Sequence, residues 1–440
     1  MNIFDYQKIL DDYCEPAIML HRPFPPLDLP PVNSRLGGLP SLPASIDWPV
    51  TSEKTPLHFL AQIDCSELPA LGILPESGML YFFARIDEEM IWGDGAPQDD
   101  CRVIFSAENG TAPQPAPVDL PVLEGGYSNW ERGFQLPGDP PFTTYPSWPL
   151  QPLAMRSWPD YDALPYGTVE DGGQYHDLLN RTRAAEMVRA AGLPLNSPYR
   201  PSWGVQTQDA KGPRITLPPS PSEQPFPQAW IMVDRIARYL ANWANQQLER
   251  SKTPLKSYFD NRQLQHIHQD AVKWVQLAAE HGLDQRPEDK RGQRFSGWLD
   301  KLAGDSSPHV RSGVGTAMVA GLQSAIQFAA ASPEAAELIP PIVYNEAEHL
   351  HLPASADKIG IQVKCDRWRF AASCHQMLGN APSSQDARPV ERQDILLLHL
   401  FSDDAVNFMF CDVGEVEFWI GKDDLAAGRF DRVRATTCGG

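Results

Sequence analysis

Apolar residues recur along this chain with two different periods, and the period changes twice. Residues 2–14 carry Ile3, Tyr6, Ile9, Leu10 and Tyr13 at helical spacing, and Pro16 stops that helix. Residues 21–49 are broken by proline and glycine and read as extended and turned. Leu57–Asp64, Met79–Ala84 and Cys101–Phe105 then read as strands, followed by a proline-rich, loop-like stretch over 110–165. Trp130, Trp148 and Trp158 lie in that stretch, and some of it must therefore pack on a core.

After about residue 172 the spacing becomes helical. Residues 174–191 form one helix, and 194–227 are a Pro/Ser-rich connection. Trp230, Val233, Ile236, Ala237, Leu240, Trp243 and Ala244 mark a second helix, and Ile267, Ala271, Trp274, Val275 and Ala278 a third. Residues 292–303 and 314–331 supply two more. From about residue 341 strands return, at 360–363, 368–370, 395–401, 406–410 and 415–420. The expected fold is α+β: a β-rich core formed by the N- and C-terminal segments (1–165 and 341–440), with a mainly helical insertion over 166–340. The two β-rich ends also echo each other. PLHFLAQID followed by SGMLYFF near the start resembles ILLLHLFSDD followed by VGEVEFWI near the end. This is either a duplication that places related half-units around a shared sheet or a chance likeness of two hairpins.

Charge sharpens the division. Of the net −19 over 440 residues, residues 1–145 hold 7 Lys/Arg against 21 Asp/Glu, whereas residues 146–345 hold 20 of each. An acidic N-terminal third repels phosphate backbones, so nucleic acid is not an expected partner and a basic protein is. Seven scattered cysteines without a CxxC read as reduced thiols. The N-terminus has no secretory pattern, and no run reaches the ~18 consecutive apolar residues of a membrane span. A cytoplasmic protein away from the membrane is expected. The sequence does not indicate an oligomeric state.

Ser34-Arg35-Leu36-Gly37-Gly38-Leu39-Pro40, with Trp48-Pro49, Pro56–Asp64 and Leu80–Phe83, resembles the N-terminal signature of the YwqG-like family, a bacterial domain of unknown function. His375-Gln376-Met377-Leu378-Gly379, then Gln385, Leu396–Asp404, Asp412-Val413-Gly414 and Phe418-Trp419-Ile420 resemble its C-terminal signature. The resemblance covers roughly 32–105 and 365–435 and leaves the helical block as an elaboration. It implies an α+β fold and suggests interaction or immunity roles, without established chemistry.

Candidate chemistry is sparse. His266 and His268 point to different sides of a helix, whereas His349 and His351 would share one face of a strand, with Glu346 or Glu348 nearby. Zinc wants three or four ligands, so no metal site is expected, and no cofactor either. Cys374-His375 places a thiol beside a base, but adjacent residues seldom act as a catalytic pair. The acidic doublets, among them Asp99/Asp100, Asp403/Asp404 and Asp423/Asp424, read as solvated strand ends. The glycine pairs lack a strand–loop–helix phosphate context and read as turns. Asp64 and Asp404 occupy corresponding points of the echo. With Arg35, Gln62, His375 and Gln385 they would form a binding cleft where the two ends meet. The expected function is a protein-binding protein, an immunity-type inhibitor or adaptor; the alternative is a hydrolase using carboxylates and His375 in that cleft.

Overall fold

The structure is a computed structural model that describes residues 3–22, 32–87, 99–108, 110, 112–123, 134–190, 206–209, 212–213, 226–252, 260–304, 308–331, 362–365, 368–371, 374–382, 390, 392–403, 405–411 and 414–439. The chain forms two compact units. Unit 1 takes Met1–Gly126, Thr143–Ile215 and His349–Gly440; unit 2 takes Tyr127–Phe142 and Thr216–Glu348.

Unit 1 starts with helix α1 (Ile3–Asp12) and strand β1 (Glu15–His21). Next come β2 (Arg35–Leu36), β3 (His58–Asp64), β4 (Met79–Ala84) and β5 (Cys101–Ser106). β6 (Trp148–Pro149) and β7 (Gln151–Ser157) run on from each other and precede α2 (Gly172–Ala190). The apolar stripe of α1 is buried as the spacing predicts. Tyr6, Ile9 and Leu10 pack with Trp158, Leu164, Tyr175 and Leu179. That cluster ties α2 into unit 1, so the first helix expected in the inserted block packs on the β-rich unit instead. The N-terminal strand β1 is not expected from the sequence, because Pro16 marks a helix stop and hides the apolar run Ala17–Leu20 behind it. β6 and β7 lie in the stretch expected to be loop. Their prolines are tolerated because each strand is the last one of its sheet. Trp148 and Trp158 are buried as expected, and Trp130 lies outside the described residues.

Unit 2 is helical: α3 (Trp230–Ser251), α4 (Asn261–Ala278), α5 (Asp289–Ala303) and α6 (Pro308–Ala331). Asp260 caps α4 by accepting the Arg262 N–H at 2.9 Å. α3 and α6 approach closely because a Cβ on Gly321 would stand 2.2 Å from Ile236. α6 is long and apolar enough to cross a membrane by length and composition, yet more than half of that stretch is buried in the fold. Residues 134–142 join this unit through Phe134, edge-on to Tyr239, and Asp139, paired with Arg238.

The remaining strands belong to unit 1, two of them before the helices of unit 2 and the rest after them. β8 (Gln206–Asp209), β9 (Gly212–Pro213), β10 (Gln362–Cys365) and β11 (Trp368–Ala371) make a four-stranded sheet in the order β10-β11-β8-β9. β12 (Gln376–Met377), β13 (Asp394–Phe401), β14 (Glu415–Gly421), the short helix α7 (Lys422–Ala426) and β15 (Arg434–Cys438) complete the chain. Residues 406–410, expected as a strand, form a turn instead. Asn407 has φ +56°, and the Asp403 and Phe408 backbones bond each other across the turn.

The two main sheets are antiparallel, in the orders β5-β4-β3-β2-β6 and β15-β14-β13-β12-β1-β7. They repeat one pattern. In each, a two-residue strand is followed by two residues of positive φ: Gly37 and Gly38 (+56° and +71°) after β2, Leu378 and Gly379 (+62° and +68°) after β12. Gln62 on β3 faces Arg35 and Tyr81; His399 on β13 faces Gln376 and Glu417. The register slips at the same place in each, between Phe59 and Ala61 and between Leu396 and Leu398. Leu150 N–H donates to Ser34 O at 2.9 Å, and Leu20 N–H donates to His375 O at 2.9 Å. Corresponding residues also meet. Phe82 and Phe418 pack edge to face at 5.3 Å, and Cys101 Sγ lies 3.7 Å from Val433 O. The echo in the sequence is thus a repeated half-unit, and its core lies where the two halves pack together.

Candidate functional site

The two halves of the repeat hold different polar residues: Gln62 matches His399, whereas the register sets Asp64 opposite Met79 as it sets Phe401 opposite Glu415, so Asp64 and Asp404 do not occupy corresponding points. In the first half, Gln62 accepts the Ser41 N–H at 3.0 Å and donates to Asn33 O at 2.9 Å. Asp64 accepts Asn33 Nδ2 at 2.9 Å, Ser66 N–H at 2.9 Å and Ser66 Oγ at 2.6 Å, capping the turn Cys65–Glu67. Burial works to raise the Asp64 pKa, but these donors outweigh it and hold the carboxyl below its usual range. Arg35 donates to Leu39 O and to Ser41 Oγ. Arg35, Gln62 and Asp64 therefore stand together, with their polar atoms engaged in closing the loops around β2.

In the second half, His375 lies between the chain and a buried ion pair. Its Nδ1 accepts the Phe401 N–H at 3.2 Å, so Nε2 carries the proton and donates to Asp403 Oδ2 at 3.0 Å. Arg22 Nε reaches the same oxygen at 2.6 Å. Asp403 is 0% and His375 2% exposed. Burial lowers the His375 pKa against the pull of Asp403. Burial would raise that of Asp403, but the charge of Arg22 and the His375 bond carry it below the usual range. The acid that meets His375 is Asp403. Asp404 and Gln385 lie outside the described residues. Burial pushes the neighbouring Cys374 thiol up to about 12, which keeps it protonated.

A third cluster is not among the candidates the sequence suggests. His399 Nε2 lies 3.3 Å from Glu415 Oε2 and 3.7 Å from Glu417 Oε1, all three buried. Glu417 Oε2 accepts the Trp419 indole N–H at 2.9 Å. One ligand atom from each of the three residues falls within 4.8 Å of the others, a spacing that suits a metal ion. The signal is present as Glu-x-Glu on a strand, which puts both carboxylates on one face. His399 is hidden inside a continuous apolar run.

The sequence matches the family described as Domain of unknown function (DUF1963) over residues 34–186 and 196–438. The chain belongs to that family. Its matched range runs through the helical unit as well as both β-rich ends, which is wider than the resemblance carried by the end motifs alone. No curated protein matches this chain.

Elsewhere in this DUF1963 protein the remaining candidates separate. His268 Nδ1 lies 3.0 Å from Ala241 O on α3, while His266 is exposed, so the two do not converge. His349, His351, Glu346 and Glu348 lie outside the described residues. Asp99 accepts the N–H and hydroxyl of Ser52, and Asp424 holds Arg429. Unit 2 carries an open groove of about 480 Å³ lined by Trp274 and Trp298 with Lys273, Arg294 and Lys301.

Proposed function

We propose that this DUF1963 protein is a cytoplasmic interaction protein of the YwqG-like, bacterial kind, an immunity-type inhibitor or adaptor that docks a basic protein partner. The observation that carries this reading is the placement of charge on the N-terminal third. Asp5, Asp11 and Asp12 on α1, and Asp47, Glu53 and Asp119 beyond it, are exposed. Three arginines of the same stretch face inward: Arg22 pairs with buried Asp403, Arg35 bonds loop oxygens, and Arg85 pairs with Asp87. A surface with these cations turned inward attracts a positively charged partner and speeds encounter at low salt. The alternative, a hydrolase with His375 as its base, would need that ring to meet substrate. At 2% exposure, with both nitrogens engaged, His375 supports a fold-fixing role better.

The test is a pull-down at low and moderate salt with the wild type and the Asp5→Lys/Asp11→Lys/Asp12→Lys variant, followed by the isoelectric point of each retained protein. The reading expects a basic protein held by the wild type, weakened by salt and lost by the variant. Equal retention by both would remove the acidic helix from the interaction.

A further inference from the structure

We infer that His399, Glu415 and Glu417 form a buried site for one divalent transition-metal ion, best suited to zinc. The argument rests on the repeat. His399 corresponds to Gln62, because each faces the two-residue strand on one side and the long fourth or fourteenth strand on the other. By the same register Glu417 corresponds to Tyr81, and Glu415 to Met79. The first half therefore shows what the scaffold needs at these positions, and it needs no charge. Met79 and Tyr81 join an apolar cluster with Leu42, Trp48, Phe59 and Phe83. Tyr81 Oη donates to Ser41 O at 2.5 Å, and Gln62 has both ends of its amide bonded.

The second half puts two carboxylates and an imidazole in the same places and buries them: His399 and Glu417 are 0% exposed and Glu415 5%. Two carboxylates brought together out of water repel each other and lose hydration, a cost that a fold has no reason to bear where Met and Tyr serve. A second observation is independent of the acids. Among the described residues, His399, with no exposed surface, finds no hydrogen-bond partner for either ring nitrogen, although Nε2 stands among the two carboxylates. Thr436, opposite Glu417 on β15, also has a buried hydroxyl with no hydrogen-bond partner among the described residues. A buried imidazole in this state is rare unless something else takes its lone pair.

A divalent cation resolves both features. Its two charges balance the two carboxylates, and Nε2 gains an electron-pair acceptor. One nitrogen and two carboxylate oxygens suit zinc or another first-row ion better than calcium, which takes six to eight oxygens. The Trp419–Glu417 bond orients one ligand in the way outer partners orient metal carboxylates. The site is closed, which fits a structural ion.

The test starts with the full chain purified without added metal, dialysed, and analysed by plasma mass spectrometry. Thermal unfolding is then followed with ZnCl₂ and with a chelator. The inference expects about one zinc or other first-row ion per chain in the wild type, a Tm raised by ZnCl₂ and lowered by chelator. It expects neither metal nor Tm response in His399→Gln, which restores the residue of the twin position. Because the wild type decides the question by itself, a variant that fails to fold does not obscure it. A metal-free wild type whose Tm ignores zinc, cobalt and manganese would overturn the inference, as would equal metal retention by folded His399→Gln.

Discussion

The two halves of unit 1 share strand order, register slip and the positive-φ turn after their shortest strand, yet they spend their buried polar groups differently. In the first half, polar side chains close loops: Gln62 bonds Ser41 and Asn33, and Asp64 caps a turn. In the second half, charged groups are sunk into the sheet: Asp403 with Arg22 and His375, and Glu415 and Glu417 with His399. One scaffold thus tolerates both solutions. The Arg22–Asp403–His375 cluster of the second half fixes the fold, whereas His399, Glu415 and Glu417 stand where the first half uses Gln62, Met79 and Tyr81, and these three mark the place to look for function.

The comparison breaks most visibly at the contact the halves share. Phe82→Ala and Phe418→Ala should each cost about 3–5 kcal/mol in urea unfolding, because both rings are fully buried. As they touch each other, the double variant should lose less than the sum of the two. Unequal single costs would mean that the repeat is geometric only. Next comes a contrast between carboxylates. Asp403→Ala strands Arg22 in the interior and should cost about 3 kcal/mol or more. Asp64→Ala removes a turn cap and the Asn33 bond without stranding a buried charge, and should cost about 1–2 kcal/mol. Similar losses by the same urea assay would erase the distinction drawn between the halves.

The last effect is in pH. Burial lowers the pKa of His21 to about 4 and also lowers those of His58 and His375. These rings stay neutral in the folded chain but take a proton near pH 6.5 when unfolded. The unfolded state binds more protons, so stability is complete above about pH 6.5 and falls as pH drops toward 4, by up to about 1.4 kcal/mol per pH unit for each ring. The depressed carboxyls of Asp64 and Asp403 act in the same direction at still lower pH. Urea midpoints at pH 7, 6 and 5 should therefore decline in order. A flat series would mean that the histidines do not stay neutral in the fold.

Much of this architecture is legible in the sequence, since periodicity reports burial directly. Tyr6, Ile9 and Leu10 face a core, and Leu396–Phe401 is a fully buried strand. What does not show depends on partners distant in the chain. β7 looks like loop because its pairing with β1 overrides the prolines. Val406–Phe410 alternates like a strand, but Asp403 ties the chain into a turn. Spacing alone groups the helix Gly172–Ala190 with the helical block, and its contacts with α1, β7 and Trp158 place it in unit 1. The polar clusters are harder still. Sequence places Gln62 with Asp64 and singles out His375, but no spacing rule predicts that His399 meets carboxylates from another strand.

The central claim is that His399 and Glu415 are buried polar groups the scaffold does not need. Its most direct test is the Tm of chelator-treated wild type against chelator-treated His399→Gln/Glu415→Met, the residues of the first half set into the second. The account predicts that the variant melts at the same temperature as the metal-free wild type or above it. A variant that melts several degrees lower would show that the buried His–Glu cluster holds the fold together by itself, and would contradict the account.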